Sequence, residues 1–119
     1  MKPKKPRQAA MIRPRVYLSD SINIGPGKID LLLKIDETRS ISAAARGLGM
    51  TYKRAWLLVD SLNQGLHQPV VETATGGKGG GGTALTPLGR RIVERYVALE
   101  ARLNSAATDE LNALLRLIK

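Results

Sequence analysis

The residues most suggestive of chemistry form a glycine-rich segment around a single lysine. Six of the eight residues in Thr75–Gly82 are glycine, and Gly77, Gly79 and Gly82 have the spacing of a dinucleotide-binding motif. That motif requires a strand before it and a helix immediately after it. A strand is predicted after this segment instead, and Lys78 is followed by glycine where a phosphate-binding loop has Ser or Thr. We therefore exclude a nucleotide site.

Residues suited to catalysis or metal binding are sparse. The chain has one histidine, His67, and no cysteine, and it shows no clear pair of carboxylates. One histidine in a loop offers too few ligands to hold a metal ion. Without cysteine there is neither a disulfide framework nor thiol chemistry. We expect a protein that is not an enzyme and that uses no cofactor or metal ion.

The charge of the chain indicates a polyanionic partner. It contains 19 Lys and Arg against 10 Asp and Glu, a net charge of +9. A chain this basic most often binds nucleic acid, although an anionic membrane surface or ribosomal RNA would also suit the charge. Residues 1–14 hold three of the six prolines and no acid, so we expect a flexible basic arm. That arm either lies along DNA phosphates or only aids solubility.

The remaining sequence predicts a mainly α-helical fold with small β-hairpins. Apolar periodicity and turn residues define the expected elements. These are a hairpin of residues 16–18 and 22–24, helices over 26–38, 41–48 and 52–64, strands over 70–73 and 83–85, and a long helix from Pro87 that bends or breaks between Asn104 and Thr108. No stretch of 18 apolar residues and no signal peptide is present, so we expect a cytoplasmic protein.

Residues 41–60 fit the register of a helix-turn-helix. Ala45 is the small residue needed where the two helices cross, and Gly49 follows four residues later in the turn. The first turn of the following helix is the part that reaches DNA in such motifs. It presents Thr51, Tyr52, Lys53 and Arg54 as the predicted DNA-binding residues of this helix. Trp56 lies on the flank of the helix and is expected to pack.

The glycine segment makes sense as the tip of a hairpin that approaches DNA. Glycine removes side-chain bulk, so the backbone of a wing over residues 75–83 can meet a sugar–phosphate backbone or the minor groove. A floppy linker is the alternative interpretation. The residues predicted to bind DNA in this wing are Thr75, Gly76, Gly77, Lys78 and Gly79.

The long helix carries an apolar stripe larger than one small core requires. It consists of Leu88, Ile92, Tyr96, Leu99 and Leu103. We expect part of this stripe to form the seam of a homodimer, and burial against the first helix of the same domain is the alternative.

Residues 28–103 resemble the N-terminal DNA-binding domain of the ModE family of bacterial molybdate-responsive regulators, which is related to the LysR-type winged helix. The motifs that carry the resemblance are Ser40–Ser42 with Ala44 and Ala45, Thr51–Trp56, Val71–Gly82 and Leu85–Gly89. The resemblance implies a homodimer, paired through the long helix, that binds a palindromic operator in double-stranded DNA of the bacterial nucleoid. Full-length members carry molybdate-binding domains after this helix, whereas this chain ends at Lys119. We therefore expect a stand-alone form that does not bind molybdate.

These observations divide the chain into three parts: an arm over 1–14, a winged helix-turn-helix over 15–86 and a helical dimerisation segment over 87–119. The predicted function is a sequence-specific transcriptional regulator with a recognition helix near 51–64. Two alternatives stay open at this point. One is a nonspecific architectural protein of the nucleoid, and the other is a protein-interaction module that uses the helix over 87–103.

Overall fold

The computed structural model describes residues 10–74 and 82–118 of the chain. Its elements follow the predicted order and confirm a mainly helical fold with two small antiparallel hairpins. They are β1 (Val16–Tyr17), β2 (Asn23–Ile24), α1 (Pro26–Thr38), α2 (Ile41–Leu48), α3 (Tyr52–Gly65), β3 (Val71–Ala74), β4 (Gly82–Leu85), α4 (Pro87–Ala106) and α5 (Thr108–Leu117).

Hydroxyl side chains define where three of the helices begin. Ser40, Thr51 and Thr86 each accept a hydrogen bond from the backbone N–H three residues later, at 3.0, 3.0 and 3.1 Å. Such caps satisfy amide groups that have no acceptor within the helix. At the other end of α2, Gly49 adopts a φ of 71°, the left-handed conformation that glycine reaches without strain. The helix-turn-helix therefore has the predicted boundaries.

Helix α1 lies at the centre of the fold and contacts α2, α3, α4 and β4. Four of its apolar side chains are buried, and α2 and α3 cover them with small and branched residues. The buried residues of these three helices are Ile29, Leu31, Leu32, Ile35, Ile41, Ala44, Ala45, Ala55, Val59 and Leu62. Ala45 is among them, as the tight crossing of α2 and α3 requires.

Residues 12–14 differ from the expected flexible arm, because α4 binds them. The Asn104 side chain accepts a hydrogen bond from Ile12 N at 2.6 Å and donates one to Ile12 O at 3.0 Å. The Tyr96 hydroxyl donates to Pro14 O at 2.6 Å. Arg13 pairs with Asp30 of α1 at 2.7 Å and lies 3.5 Å from a carboxylate oxygen of Glu100. The chain before β1 thus joins α1 to α4.

Helix α4 ends between Asn104 and Thr108, as predicted, and its apolar stripe is partly buried in the core and partly exposed. The helix stops at Ala107, which has φ −102° and ψ 16°, and α5 begins at the next residue. Tyr96 is only 4% exposed and belongs to the core of its own chain, whereas Leu99 is 37% exposed. Burial within its own domain, the alternative to a dimer seam, is therefore what the structure shows for Tyr96.

In the described part of the chain, no helix is both long and apolar enough to cross a membrane.

Candidate nucleic-acid interface

The first turn of α3 presents polar side chains from a firmly packed helix. Thr51, Tyr52, Lys53 and Arg54 are all exposed. On the opposite side of α3, the core holds Ala55, Val59 and Leu62, each at most 1% exposed. Because this buried face holds the helix in place, the exposed turn is a preorganised surface. All four residues predicted on α3 are therefore brought together at one helix end.

This helix end also favours an anion. The first amides of a helix have no acceptor within it, and the helix dipole places partial positive charge there. The Thr51 hydroxyl accepts the N–H of Arg54, while no acidic residue occupies the first turn. Together with the charges of Lys53 and Arg54, this end of α3 suits a phosphate group.

Trp56 supports Tyr52 and lies outside the core, contrary to the expectation that it packs. Its indole N–H donates a hydrogen bond to the Tyr52 hydroxyl, one helical turn away. Trp56 is 38% exposed and Tyr52 is 54% exposed. The hydrogen bond orients the tyrosine ring and leaves its hydroxyl proton free to donate. The i, i+4 spacing in the sequence is the signal that could have identified this pair.

The base of the wing is attached to α3 by Asn63. Strands β3 and β4 pair from Val71 with Leu85 to Ala74 with Gly82. The Asn63 side chain accepts a hydrogen bond from Val70 N at 2.8 Å and donates one to Val71 O at 3.3 Å. Asn63 thus fixes the wing against α3. The predicted wing residues Thr75–Gly79 lie outside the described residues.

Arg39 attaches the other strand of the wing and was not among the predicted residues. Its carbonyl oxygen accepts the N–H of Thr83 in β4 at 3.1 Å. Arg39 itself has a φ of 61°, which is unusual for a residue with a side chain. Its exposed side chain folds back on α1, where Nε donates a hydrogen bond to Asp36 O at 3.2 Å. No local pattern marks this residue, because the contact joins positions that are 44 residues apart.

Four of the five residues predicted for dimerisation line a groove along α4. Leu88, Ile92, Tyr96 and Leu99 of α4 form one wall of this open groove, and Leu103 lies half-buried one turn farther along. His67 lies in the same groove, and no cluster of potential metal ligands occurs in the part of the chain that is described.

A helix-turn-helix followed by a hairpin wing, with the second helix presenting an exposed basic turn, is the architecture of a winged-helix DNA-binding protein. The model of the family "Bacterial regulatory helix-turn-helix protein, lysR family" matches residues 27–90, more than half of the chain. The chain therefore belongs to this family. Membership places it among bacterial regulatory proteins and not among enzymes.

Curated relatives extend this result. The molybdenum-pterin-binding protein MopB of Rhodobacter capsulatus is 49% identical over 78 residues, covering 66% of this chain and 29% of the relative. The DNA-binding transcriptional dual regulator ModE of Escherichia coli K12 is 40% identical over 95 residues, covering 80% and 36%. The resemblance to ModE is thus confirmed. The chain spans about a third of the length of these relatives.

Solved structures show the same fold. A LysR family transcriptional regulator superposes on 75% of this chain, with a TM-score of 0.57 and 19% identity, and the match covers 30% of that protein. ArgP from Mycobacterium tuberculosis matches 73% of this chain and 30% of its own length, with a TM-score of 0.51 and 25% identity.

Proposed function

We propose that the chain is a sequence-specific transcriptional regulator that binds a palindromic DNA site as a homodimer. The first turn of α3 enters the major groove, and the wing over residues 75–83 contacts the sugar–phosphate backbone or the minor groove beside it. The observation that carries this proposal is the exposed, capped and basic first turn of α3 on a helix whose opposite face is fully buried.

Three side chains of the turn have distinct roles in the proposed complex. Arg54 reads a base edge, because its guanidinium can donate two hydrogen bonds to guanine. Lys53, with its single flexible ammonium, contacts phosphate. The first-turn amides of α3 donate hydrogen bonds to a second phosphate, and Tyr52, oriented by Trp56, donates its hydroxyl proton.

The wing and the arm supply contacts that do not depend on sequence. Asn63 and Arg39 fix the base of the wing on the helix-turn-helix, so its position follows that of α3. The basic residues that precede residue 10 add phosphate contacts, which raise affinity on any duplex and make it depend strongly on salt.

Selection from a pool of random duplexes tests the proposal directly. A dimeric reader should recover a palindrome whose half-sites lie about one helical turn apart, roughly 34 Å. Recovery of no preferred sequence would instead identify a nonspecific architectural protein. Failure to retain any duplex at about 0.15 M salt, near physiological ionic strength, would identify a protein-interaction module.

Substitution of Arg54 tests the base-reading role. Arg54→Ala should lower affinity for the selected site by about 1–3 kcal/mol per half-site and relax the preference at one base pair. Arg116→Ala is the matched control, because it removes the same charge from an exposed position on α5. Gel-shift titrations on the selected site and on random duplex separate the two effects. An equal loss on both duplexes would assign Arg54 to phosphate contact only.

A further inference from the structure

Leu57 is an exposed leucine on the helix that presents the candidate interface. It is 59% exposed, and among the described residues it belongs neither to the core nor to the apolar side chains packed against the core. It lies one turn beyond the four residues of α3 discussed above, and the proposed function does not use it. A single exposed leucine is ordinary on most surfaces. On α3 its position gives it a specific neighbour.

Leu57 lies at the centre of the exposed face of α3. At 100° per residue it points roughly 160° away from Ala55, which is completely buried. Lys53 and Ser61 lie one turn before and one turn after it, within about 40° of its direction, and Arg54 lies about 60° away. All three of these polar side chains are exposed. Leu57 is therefore an apolar group among polar ones, on the side of α3 opposite the core.

The side of a recognition helix opposite its buried face points at the floor of the major groove. This floor consists of base edges, which present hydrogen-bond donors and acceptors together with one apolar group, the C5 methyl of thymine. Leucine has no donor or acceptor, so covering a polar base edge with it removes water from that edge and returns no hydrogen bond. The thymine methyl is the group that Leu57 can meet without this cost.

Arg54 determines where along the duplex such a contact falls. Side chains three residues apart on one helix face have Cβ atoms about 5–6 Å apart. Successive base pairs of DNA are about 3.4 Å apart. Leu57 therefore reaches a base pair about one or two steps from the base pair that Arg54 contacts.

We propose that Leu57 is a specificity-determining residue that selects thymine by packing against its C5 methyl group in the major groove. This inference rests on the proposed function and adds an apolar contact to its hydrogen bonds. It places a thymine in each half-site, beside the base pair that Arg54 reads. The contact depends on a single methyl group, which distinguishes it from every contact with phosphate.

Deoxyuridine tests this contact, because it pairs as thymine does and lacks only the methyl group. The duplex is the palindrome recovered from the random pool, with deoxyuridine in both half-sites beside the base pair whose preference Arg54→Ala relaxes. Loss of one methyl contact should raise the Kd of the full-length protein about fourfold per half-site, and roughly fifteenfold for the whole palindrome. Leu57→Ala should raise the Kd on the thymine duplex by at least as much, and its Kd should then be the same on both duplexes.

Leu33→Ala is the matched control variant, because it removes the same side chain from an exposed position on α1. It should keep the wild-type ratio of the two Kd values. Deoxyuridine at a thymine that flanks the half-sites is the control duplex and should leave the Kd unchanged. Because Leu57 is exposed and alanine is the better helix former, circular dichroism should show Leu57→Ala to be as folded as the wild type.

A half-site with no thymine within about two base pairs of the Arg54 base pair would overturn the proposal. Equal binding of the wild type to both duplexes would also overturn it. So would a Leu57→Ala variant that still loses affinity on deoxyuridine, since another group would then contact the methyl. In these cases the recovered palindrome leaves the sequence-specific regulator standing. Recovery of no preferred sequence would refute the regulator and the thymine contact together.

Discussion

Asn63 connects α3 to the base of the wing, and its replacement should destabilise the fold in a way that two variants can resolve. In Asn63→Ala the backbone N–H of Val70 loses its acceptor, which lies at 2.8 Å, and Val71 O loses a donor at 3.3 Å. Val70 is completely buried, so water cannot replace the lost acceptor. Asn63→Asp retains an oxygen for Val70 N–H and removes only the donor.

The expected size follows from these two hydrogen bonds, because the third contact, from Val71 N to the same oxygen, is long at 3.4 Å and adds little. An unsatisfied buried N–H costs about 1–3 kcal/mol, and the second, longer hydrogen bond contributes about 1 kcal/mol. Asn63→Ala should therefore lower the free energy of unfolding by about 2–4 kcal/mol, and Asn63→Asp by about 1 kcal/mol. For a chain of this size, the larger change corresponds to a fall in Tm of about 10 °C.

Urea denaturation at one fixed protein concentration measures these differences, because the proposed dimerisation would make stability depend on concentration. Gln64→Ala is the control, since Gln64 is exposed and bonds only to Asp60 one turn away. It should change the free energy of unfolding by less than about 0.5 kcal/mol. Amide hydrogen exchange should show faster exchange at Val70 in Asn63→Ala. A variant as stable as the wild type, with an unchanged Val70 amide, would refute this account of how the wing is held.

Two further substitutions test the packing around α4. In Gly89→Ala the new Cβ would overlap the carbonyl oxygen of Val70, so the free energy of unfolding should fall by about 2 kcal/mol. Gly27→Ala is the control: no atom lies near its Cβ, so it should be neutral or slightly stabilising. Equal stabilities of the two variants would contradict the close contact at Gly89. Tyr96→Phe removes the hydrogen bond to Pro14 O and should cost about 1 kcal/mol in thermal denaturation at neutral pH. Burial raises the pKa of Tyr96 above its ordinary value of 10, so this site favours the folded state below pH 10 and loses that contribution as pH rises through the raised pKa. The phenylalanine variant should lack this alkaline loss, and identical pH profiles would remove Tyr96 as its source.

The elements that local chemistry specifies could be predicted from the sequence. Ser40, Thr51 and Thr86 precede apolar helical periods, and each caps the helix that it was expected to start. Gly49 occupies the left-handed position in the turn. These signals lie within three or four residues of the structure that they determine. Helix α3 was therefore located to within one residue at its C-terminal end, and the binding of DNA by its first turn stays a prediction.

Contacts between distant parts of the chain could not be predicted in the same way. Residues 12–14 have the composition of a disordered arm, but Asn104 and Tyr96 bind their backbone across more than 80 residues of sequence. Composition reports only the side chains of such a segment, whereas these bonds use its peptide groups. Arg39 was missed for the same reason, because its carbonyl oxygen is what joins it to the wing.

The division of the α4 stripe has a consequence for the proposed complex with DNA. Tyr96 is buried in the core and Leu99 is partly exposed in the groove, so one helix is held by its own domain and also presents apolar surface to solvent. The close contact of Gly89 with Val70 fixes the start of α4 against the wing, and the bonds of Asn104 to Ile12 fix its far end. In the proposed homodimer, pairing through an α4 held in this way would set the distance between the two α3 helices. The spacing of the half-sites in a selected operator is therefore a direct readout of that interface.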